Sequence, residues 1–595
     1  MTSESDDEDL KAAIAMSLKD SNFKEESKPA AGISGLDRKA MEAERLARQQ
    51  ARKRQRSISP PPVRSPRKAP KVEETSISLP SGARLNFLSS AIQDTQAGQK
   101  SPTASIAINR MKQKIKAEPE DEIDSKIKTE SLPSGSLKYP NGVVRKTWAF
   151  GHERTGHDIK LEEVLEPTSV RTAVLSAFQW DVDWVLRKLK TPLNGGSTKC
   201  IFVMQAKEKS DRDKWREDAS DMSHFLRLCF PNMSGLINCM HSKLMLLFHP
   251  HKLRIAIPTA NLLNFDWGET GQMENSVFLV DLPRLSDGSR TSLEDLSPFG
   301  RELMYFIQKQ GLDQDVRDGV LKFDFSATED MAFVHTVGGM HFKDEAARTG
   351  LLGLGSAIRE LGLSTGSDLE IDFAASSIGM LNDAQVNDLH TAARGIDLIA
   401  EAKTTRSKAG ADFFKKKQKS SPAESSPARS NVRIYFPTAE TVRASTAGAA
   451  GTICLQRKHF EGKNFPRDIF RDYKSSRKGL LSHNKILCGR SKTNVAWVYV
   501  GSANMSKSAW GELGAKRDEN KITCRNWECG VILPVARNVK QEKVKDENGD
   551  EETDEEDEED EKQLIGMDAF ANVIDLPFEV PGEEYGGREP WYFTE

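Results

Sequence analysis

Long uncharged apolar runs are missing from this 595-residue chain, and its seven cysteines form no CxxC pair. The first absence argues against a membrane-spanning helix, and the acidic start of the chain argues against a secretory signal peptide. An odd number of cysteines without paired spacing argues against a zinc site or a disulfide framework. These features favour a reducing compartment, the cytosol or the nucleus.

Aromatic residues are scarce in the first 135 positions, where Phe23 and Phe87 are the only two. Ser, Pro, Lys and Glu are frequent there, so the stretch has too little apolar surface to offset the entropy of ordering. We therefore predict a disordered tail over residues 1–135. The formal net charge of −3 says little about partners, because opposite charges lie in separate blocks.

From about Trp148 onward, strand-like stretches such as residues 200–205 alternate with helix-like stretches such as residues 181–190. This alternation predicts an α/β layered fold. The chain is too long for one core, so we expect two domains, at residues 136–327 and 328–595. The Lys- and Ser-rich segment 403–431 and the acidic segment 540–562 are predicted to be solvated insertions in the second domain.

Two segments far apart in the chain carry the same chemical groups in the same order. In each, a Lys follows a His at the second position, and an Asn follows about twenty residues later. A lone HxK pair means little, but two pairs with a similarly spaced Asn are a specific signal. The first set is His241, Lys243 and Asn261, and the second is His483, Lys485 and Asn504.

Each set is predicted to lie on a β-hairpin, with strands at 241–248 and 253–258 in the first copy and at 483–487 and 495–500 in the second. Residues i and i+2 of a strand point the same way, so the His and the Lys should share a face. The Asn would follow the returning strand and so lie near the start of the first. His249 and His251, in the first turn, are expected to be solvated.

The two sets facing each other would make a metal-free site for cutting a phosphodiester. The lysines and asparagines can hold the non-bridging oxygens and stabilise the charge of the transition state. One histidine can attack phosphorus and the other can protonate the leaving oxygen. The near-symmetry of the motifs does not decide which histidine does which.

The pattern HxK with a later Gly-Ser-x-Asn, present here as 501–504, resembles the phospholipase D superfamily. That family's Asp would fall at Phe248 and Arg490, and neither can orient an imidazole as a carboxylate does. In lacking this acid in both motifs, the sequence resembles the tyrosyl-DNA phosphodiesterase branch (type 1). The stretches 178–184, 375–379, 435–438 and 504–510 resemble the same branch. The resemblance covers roughly residues 140–595.

This resemblance implies two similar α/β/α sandwich domains related by pseudo-two-fold symmetry. It assigns attack to His241 and acid–base duty to His483, without a metal or another cofactor. It also implies that Glu528 orients His241 and that Gln272 orients His483. A carboxylate would then raise the basicity of the nucleophile, and a neutral amide would leave the proton donor more acidic.

The implied activity is that of a monomeric, nuclear DNA-repair hydrolase that releases topoisomerase I peptide from a DNA 3′ phosphate. Single-stranded or nicked DNA with a 3′ adduct would be the substrate. By the same resemblance, Phe178 stacks on a base, and Ser377, Gly379 and Ser506 contact the DNA backbone. A core role for Phe178 and a plain loop role for the other three are the alternatives.

A further motif lies in the N-terminal tail at residues 6–20. Leu10, Ala13, Ile14 and Ser17 fall on one face of a predicted helix that begins with an acidic block. The stretch resembles a ubiquitin-interacting motif, which implies ubiquitin or a ubiquitinated protein as a partner. A generic amphipathic helix is the alternative.

A basic cluster at residues 52–71 indicates nuclear import or attraction to nucleic acid, with a solvated basic tail as the alternative. Two other functions remain open for the whole chain. One is a superfamily nuclease or lipid phosphodiesterase. The other is a non-catalytic ubiquitin-binding scaffold that retains a degenerate phosphodiesterase domain.

Overall fold

The computed structural model describes residues 137–404, 427–448, 453–514, 520–535 and 563–593, all of which belong to one compact unit. The predicted tail lies outside the described residues, together with its ubiquitin-type helix and basic cluster. Residues 405–426 and 540–562 of the predicted insertions also lie outside them. Pro427–Asn431, at the end of the first insertion, forms a 3-10 helix.

The first half contains a mixed eight-stranded sheet. Its strands are β1 Val143–Thr147, β2 Asp158–Ile159, β3 Thr172–Ser176, β4 Lys199–Val203, β5 Leu226–Cys229, β7 Leu244–Phe248, β8 Lys252–Pro258 and β10 Ser276–Pro283. They lie in the order β2-β1-β10-β8-β7-β3-β4-β5. The predicted strand at 200–205 corresponds to β4, displaced by one residue at its start and two at its end.

The second half contains a sheet of the same kind. Its strands are β11 Ala332–Thr336, β13 Glu370–Ala375, β15 Val432–Phe436, β17 Phe470–Asp472, β19 Lys485–Arg490, β20 Ala496–Gly501 and β23 Asn526–Pro534. They lie in the order β11-β23-β20-β19-β13-β15-β17. Smaller pairings involve β6 Cys239–Met240, β9 Met273–Glu274, β12 Gly339–Phe342, β14 Ser377–Ile378, β16 Cys454–Leu455, β18 Leu481–Ser482, β21 Glu512–Leu513 and β22 Lys521–Cys524.

The two large sheets share one pairing pattern. In the first, β10, β8, β7 and β3 pair antiparallel in turn, and β4 and β5 continue in parallel. In the second, β23, β20, β19 and β13 pair antiparallel, and β15 and β17 continue in parallel. The predicted α/β fold of two similar halves is confirmed by this repeated topology.

Helices connect and cover the strands, and their starts follow local sequence signals. Asp181 caps the predicted helix at 181–190 by accepting the Trp184 N–H, and Asn382 and Gln385 form a capping box. The α-helices with both ends inside the described ranges are α1 Leu161–Leu165, α2 Val182–Lys188, α3 Lys209–Asp218, α4 Pro298–Lys309, α5 Gln314–Val320, α6 Lys343–Ala347, α7 Gly350–Glu360, α8 Asp383–Ala393, α9 Ala439–Ala444, α10 Arg457–Phe460 and α11 Lys507–Trp510. None of the helices within the described residues combines the length and apolarity needed to cross a bilayer.

The core has three layers because side chains alternate along the strands. In β7, Leu246 points into a cluster shared by both sheets, whereas Leu247 points into a cluster under the helices of the first half. In β19, Ile486 joins the shared cluster and Leu487 joins the cluster of the second half. The two sheets therefore pack face to face, which sets the two halves in one fixed arrangement.

Two short strand pairs tie the halves together beside the His–Lys motifs. Strand β6, just before His241, pairs in parallel with β23 of the second half. Strand β18, just before His483, pairs in parallel with β9 of the first half. Each motif histidine is thus placed by a strand that hydrogen-bonds to the opposite half.

The predicted hairpins are present, but their first strands start later than expected. Strand β7 begins at Leu244 and β19 begins at Lys485, so His241 and His483 lie outside the ladders. The residues that precede each histidine pair with a strand of the opposite half. The backbone must leave that pairing before the strand of its own half can begin.

Candidate active site

The two His–Lys pairs occupy equivalent positions in the two halves, at the starts of strands β7 and β19. Both lysine side chains are fully buried, and His241 and His483 are 9% and 4% exposed. A buried ammonium is costly unless it faces negative charge. This placement therefore indicates a site built around an anion.

Each imidazole contacts a carboxylate from the opposite half of the chain. Nδ1 of His241 lies 2.8 Å from Oε2 of Glu528, and Nδ1 of His483 lies 3.2 Å from Oδ2 of Asp266. An ionised carboxylate only accepts, so each Nδ1–H donates and Nε2 is left for the substrate. The site is complete only when both halves are packed together.

Glu528 is held by two other donors besides His241. Ser502 Oγ donates to Oε2 at 2.5 Å, and Asn526 Nδ2 donates to Oε1 at 2.9 Å. Glu528 is also buried, at 1% exposure. This network fixes the carboxylate, and the carboxylate fixes the orientation of the His241 ring.

The expected pairing of Gln272 with His483 is wrong. Gln272 is half-buried, and its Oε1 accepts a hydrogen bond from Thr270 at 3.2 Å. Its backbone carbonyl oxygen accepts the Leu481 N–H, so the backbone of Gln272 helps to join the two halves. Asp266 takes the place beside His483, and its Oδ2 also accepts the Asn261 N–H at 2.7 Å.

The predicted contrast between a carboxylate and an amide is therefore absent, because both histidines face a carboxylate. Asp266 follows Asn261 by five residues, so a search for acids close to each motif could have found it. The contacts of Ser502 and Asn526 with Glu528 were not predicted, since a single serine or asparagine gives no specific signal in the sequence.

The two lysines make parallel contacts. Nζ of Lys243 donates to the carbonyl oxygen of His241 at 3.0 Å. Nζ of Lys485 donates to the carbonyl oxygen of His483 and also to Oγ of Ser376, the latter at 2.9 Å. Each ammonium is thus tied to the backbone of its own motif, beside the imidazole.

The asparagines of the two sets are anchored through their Oδ1 atoms. Asn261 Oδ1 accepts the Gln179 N–H at 3.3 Å. Asn504 Oδ1 accepts from the Ser377 N–H at 3.0 Å and from Ser376 Oγ at 3.2 Å. Fixing the oxygen orients the amide group.

Burial and mutual repulsion shift the pKa values of the buried groups. Burial lowers the pKa of Lys243 to about 8, against the opposing effect of the nearby carboxylates. Burial, and then the charge of Lys243, hold the pKa of Lys485 well below its ordinary value. Burial and the charge of Lys485 lower the pKa of His483 to about 3, and burial lowers the pKa of His241.

Besides burial, the positive charge of the lysines helps to lower the pKa values of both histidines and of Lys485. The charge of Lys243 lowers the pKa of His483, and the charge of Lys485 lowers the pKa of His241, so the two sets are near enough to interact. Positive charge is crowded in the site, and a bound anion would relieve the crowding. A phosphate in the site would raise all four pKa values.

The predicted DNA-contact residues lie beside the two sets. The half-buried Phe178 ring has its centroid 5.5 Å from that of His241, so it borders the site and is not enclosed in the core. Ser377 contacts Asn504 through its backbone N–H. Ser506 caps the N-terminus of helix α11. A Cβ on Gly379 would lie 2.9 Å from Ser506 Cβ, so only glycine fits there without a shift.

The sequence matches a family model described as tyrosyl-DNA phosphodiesterase over residues 143–586, and a ubiquitin interaction motif over residues 5–21. Tyrosyl-DNA phosphodiesterase 1 of Arabidopsis thaliana is 23% identical over 394 residues, which are 63% of this chain and 58% of the plant protein. A probable tyrosyl-DNA phosphodiesterase of Caenorhabditis elegans is 29% identical over 123 residues, which are 19% of this chain and 27% of that protein.

Among solved structures, the yeast tyrosyl-DNA phosphodiesterase is 18% identical, with a TM-score of 0.45 over 66% of this chain and 90% of the yeast chain. This chain thus aligns with less than two thirds of the length of either curated relative. The family model, in contrast, spans most of the chain and includes both His–Lys–Asn sets. The chain belongs to the tyrosyl-DNA phosphodiesterase family.

Proposed function

We propose that this protein hydrolyses the bond between a tyrosine phenol and the 3′ phosphate of DNA, through a covalent phosphohistidine. The observation that carries the proposal is the pair of buried His–Lys–Asn sets, each completed by a carboxylate from the opposite half. Family membership supports the same reaction. Topoisomerase I-derived peptide on single-stranded or nicked DNA is the proposed substrate.

Lys243 and Lys485 hold the non-bridging oxygens of the phosphodiester. A phosphodiester resists attack because its negative oxygens repel nucleophiles, and two buried cations offset that charge. The amide groups of Asn261 and Asn504 add donors fixed in place by their Oδ1 contacts. Because the lysines and asparagines are already in position, they need not move as negative charge develops on the phosphate oxygens in the transition state.

The two histidines divide the covalent steps. Nε2 of His241 attacks phosphorus, the bond from phosphorus to the tyrosine oxygen breaks, and His483 donates a proton to that oxygen. Water then attacks phosphorus and gives a proton to His483, and the phosphorus–nitrogen bond breaks to restore His241. Family resemblance supports this assignment of roles.

His483 must carry a proton when the substrate is bound. Burial, as the largest cause, lowers its pKa to about 3. The negative phosphodiester offsets the lysine charges and raises that pKa. A phenol leaves readily because its pKa is about 10, so a single imidazolium suffices as the acid.

The test is tyrosine release from an oligonucleotide that ends in 3′-phosphotyrosine, compared with headgroup release from phosphatidylcholine vesicles. We expect tyrosine release only. His241→Ala should lower kcat by at least about 1,000-fold because the nucleophile is lost. His157→Ala, at an exposed histidine, is the matched control. Preferred headgroup release, or an active His241→Ala variant, would overturn the proposal.

Ubiquitin is proposed as a second partner, bound by the N-terminal motif at residues 5–21. The small side chain of Ala13 would allow a helix to press against an apolar patch. Ala13→Arg should then abolish capture on immobilised ubiquitin and leave tyrosine release unchanged. Ala12→Arg, on the other face of such a helix, should retain capture; loss in both variants or in neither contradicts this assignment.

A nuclear location and a monomeric state complete the proposal. The basic cluster at residues 52–71 supports nuclear import. DNA and its covalent protein adducts are found in that compartment. Both His–Lys–Asn sets come from one chain, so a monomer suffices for the site.

A further inference from the structure

A cavity of about 530 Å³ lies at the end of the first sheet that faces away from the candidate active site. Thr172 and Lys199, the first residues of β3 and β4, line it, together with Phe248, the last residue of β7. Strand β7 begins beside Lys243, and its five residues span about 13 Å. The cavity is therefore separate from the His–Lys–Asn sets, and its size suits a small ligand or part of a larger one.

The cavity is strongly cationic. One acid, Asp315, lines it, and Arg227 pairs at 2.9 Å both with Asp315 and with Asp313. Within the described ranges, the side chains of Lys199 and Lys322 take part in no ion pair. The five cationic residues that line the cavity are Arg171, Lys199, Arg227, Arg284 and Lys322.

One of these cations is held in a fixed orientation. Nε of Arg284 donates to the carbonyl oxygen of Pro250 at 2.7 Å, and its guanidinium lies 4.7 Å from the centre of the Phe323 ring. The rest of the planar guanidinium can still donate. Such a group matches the oxygens of a phosphate in a bidentate way.

A buried imidazole also lines the cavity. His249 lines the cavity and is only 3% exposed, so the expectation that this turn residue is solvated is wrong. Its Nδ1 lies 2.8 Å from Ser169 Oγ, but its Nε2 is buried and has no hydrogen-bond partner among the described residues. Such unpaired atoms are uncommon in folded proteins.

We propose that this cavity is a second anion site that binds a phosphate group, remote from catalysis. Phosphate fits because it concentrates up to two charges in one small group and offers several oxygens to the arginines and the lysines. An acidic peptide spreads single charges along a chain, and a compact cavity accommodates few of them. The phosphate can belong to free phosphate, a nucleotide or a nucleic-acid strand.

Titration calorimetry with inorganic phosphate tests the site in the full-length protein. We expect two bound phosphates, one between the His–Lys–Asn sets and one in the cavity. The double variant Lys199→Gln, Lys322→Gln should lose one of them or bind it about ten-fold more weakly. Each of the two lysines is expected to contribute to the binding free energy of phosphate about as much as one surface ion pair. The control is the double variant Lys190→Gln, Lys207→Gln, which removes the same charge from exposed lysines outside the cavity. It should keep both bound phosphates.

Two further probes identify the source of the phosphate. A nucleoside 5′-monophosphate and a short single-stranded oligonucleotide without a 3′ adduct are titrated into the same variants. Weaker binding in the Lys199, Lys322 variant alone supports the site, and the probe with the largest difference shows the source. Tyrosine release from a short substrate should be equal in both variants, so this test is independent of the proposed reaction.

Equal phosphate counts and affinities in the two double variants would overturn the proposal. A hexa-aspartate peptide that depends on Lys199 and Lys322 while phosphate does not would also overturn it, because the site would then be one for acidic protein segments.

Discussion

At the scale of single residues, two carboxylates govern what the two imidazoles do. Glu528 lies 2.8 Å from His241 and is fixed by two other donors, whereas Asp266 lies 3.2 Å from His483. Burial acts to raise the pKa of Asp266, but His483 and Lys485 outweigh it and lower that pKa, so the carboxylate is ionised. It therefore opposes the lowering of the His483 pKa and favours the imidazolium over the neutral ring.

Asp266→Asn should lower kcat by about 100-fold or more, because His483 loses the charge that stabilises its protonated form. Gln272→Ala is the comparison, and it should change kcat only a few-fold, since Gln272 does not contact His483. Single-turnover release of tyrosine measures both. A large loss in Gln272→Ala with little loss in Asp266→Asn would restore the assignment that the structure contradicts.

The pH profile should report the lowered pKa of Lys243. A lysine must be protonated to hold phosphate, and raising the pH removes that proton. Because the pKa is about 8 in the free protein, kcat/KM should fall as the pH rises through about 8. Bound substrate raises the pKa, so kcat should fall only at higher pH.

Lys243→Arg tests the origin of that falling limb. Arginine stays protonated throughout the accessible range, so any remaining activity should lose the limb near pH 8. An unchanged limb in Lys243→Arg would show that another group titrates there.

At the scale of elements, short strands shared between the halves position the histidines. Glu274 in β9 is fully buried and accepts from Arg477 at 2.8 Å and from Ser475 at 2.5 Å. Its carbonyl oxygen also accepts the His483 N–H at 3.2 Å. The Glu274–Arg477 pair therefore holds the segment that leads into the second motif.

Glu274→Gln should reduce the free energy of unfolding by about 1–3 kcal/mol, because it leaves the partly buried Arg477 without an opposite charge. Urea denaturation measures the change, and kcat should fall with it as His483 loses its fixed position. Asp213→Asn, which breaks an exposed pair with Lys209, should leave the midpoint nearly unchanged. Equal midpoints for the two variants would contradict this role of β9.

Part of this arrangement was predictable from sequence. Apolar stretches on either side of a short polar turn, around residues 244–258 and 485–500, predicted both hairpins. The HxK spacing predicted the paired cations. The break before each hairpin was not predictable, because β6 and β18 pair with strands far away in the chain. The partner of His483 was mistaken for the same reason: a contact across the two halves leaves no local pattern.

At the scale of the whole molecule, one chain builds two sheets of the same topology and packs them face to face. The shared apolar cluster between the sheets buries residues from both halves. Burial of such side chains contributes about 1.5–3 kcal/mol each, so the cluster fixes the relative position of the halves. That position brings Glu528 to His241 and Asp266 to His483, which neither half achieves alone.

The most direct measurement of this cooperation is the identity of the covalent intermediate. The His483→Ala variant is incubated with a 3′-phosphotyrosyl oligonucleotide, digested, and analysed by mass spectrometry for a DNA-linked histidine. The mechanism predicts an accumulated adduct on His241, because the water that releases it has lost its base in the other half. An adduct on any other residue, or full turnover without an adduct, would contradict the claim that the two sets act on one phosphorus.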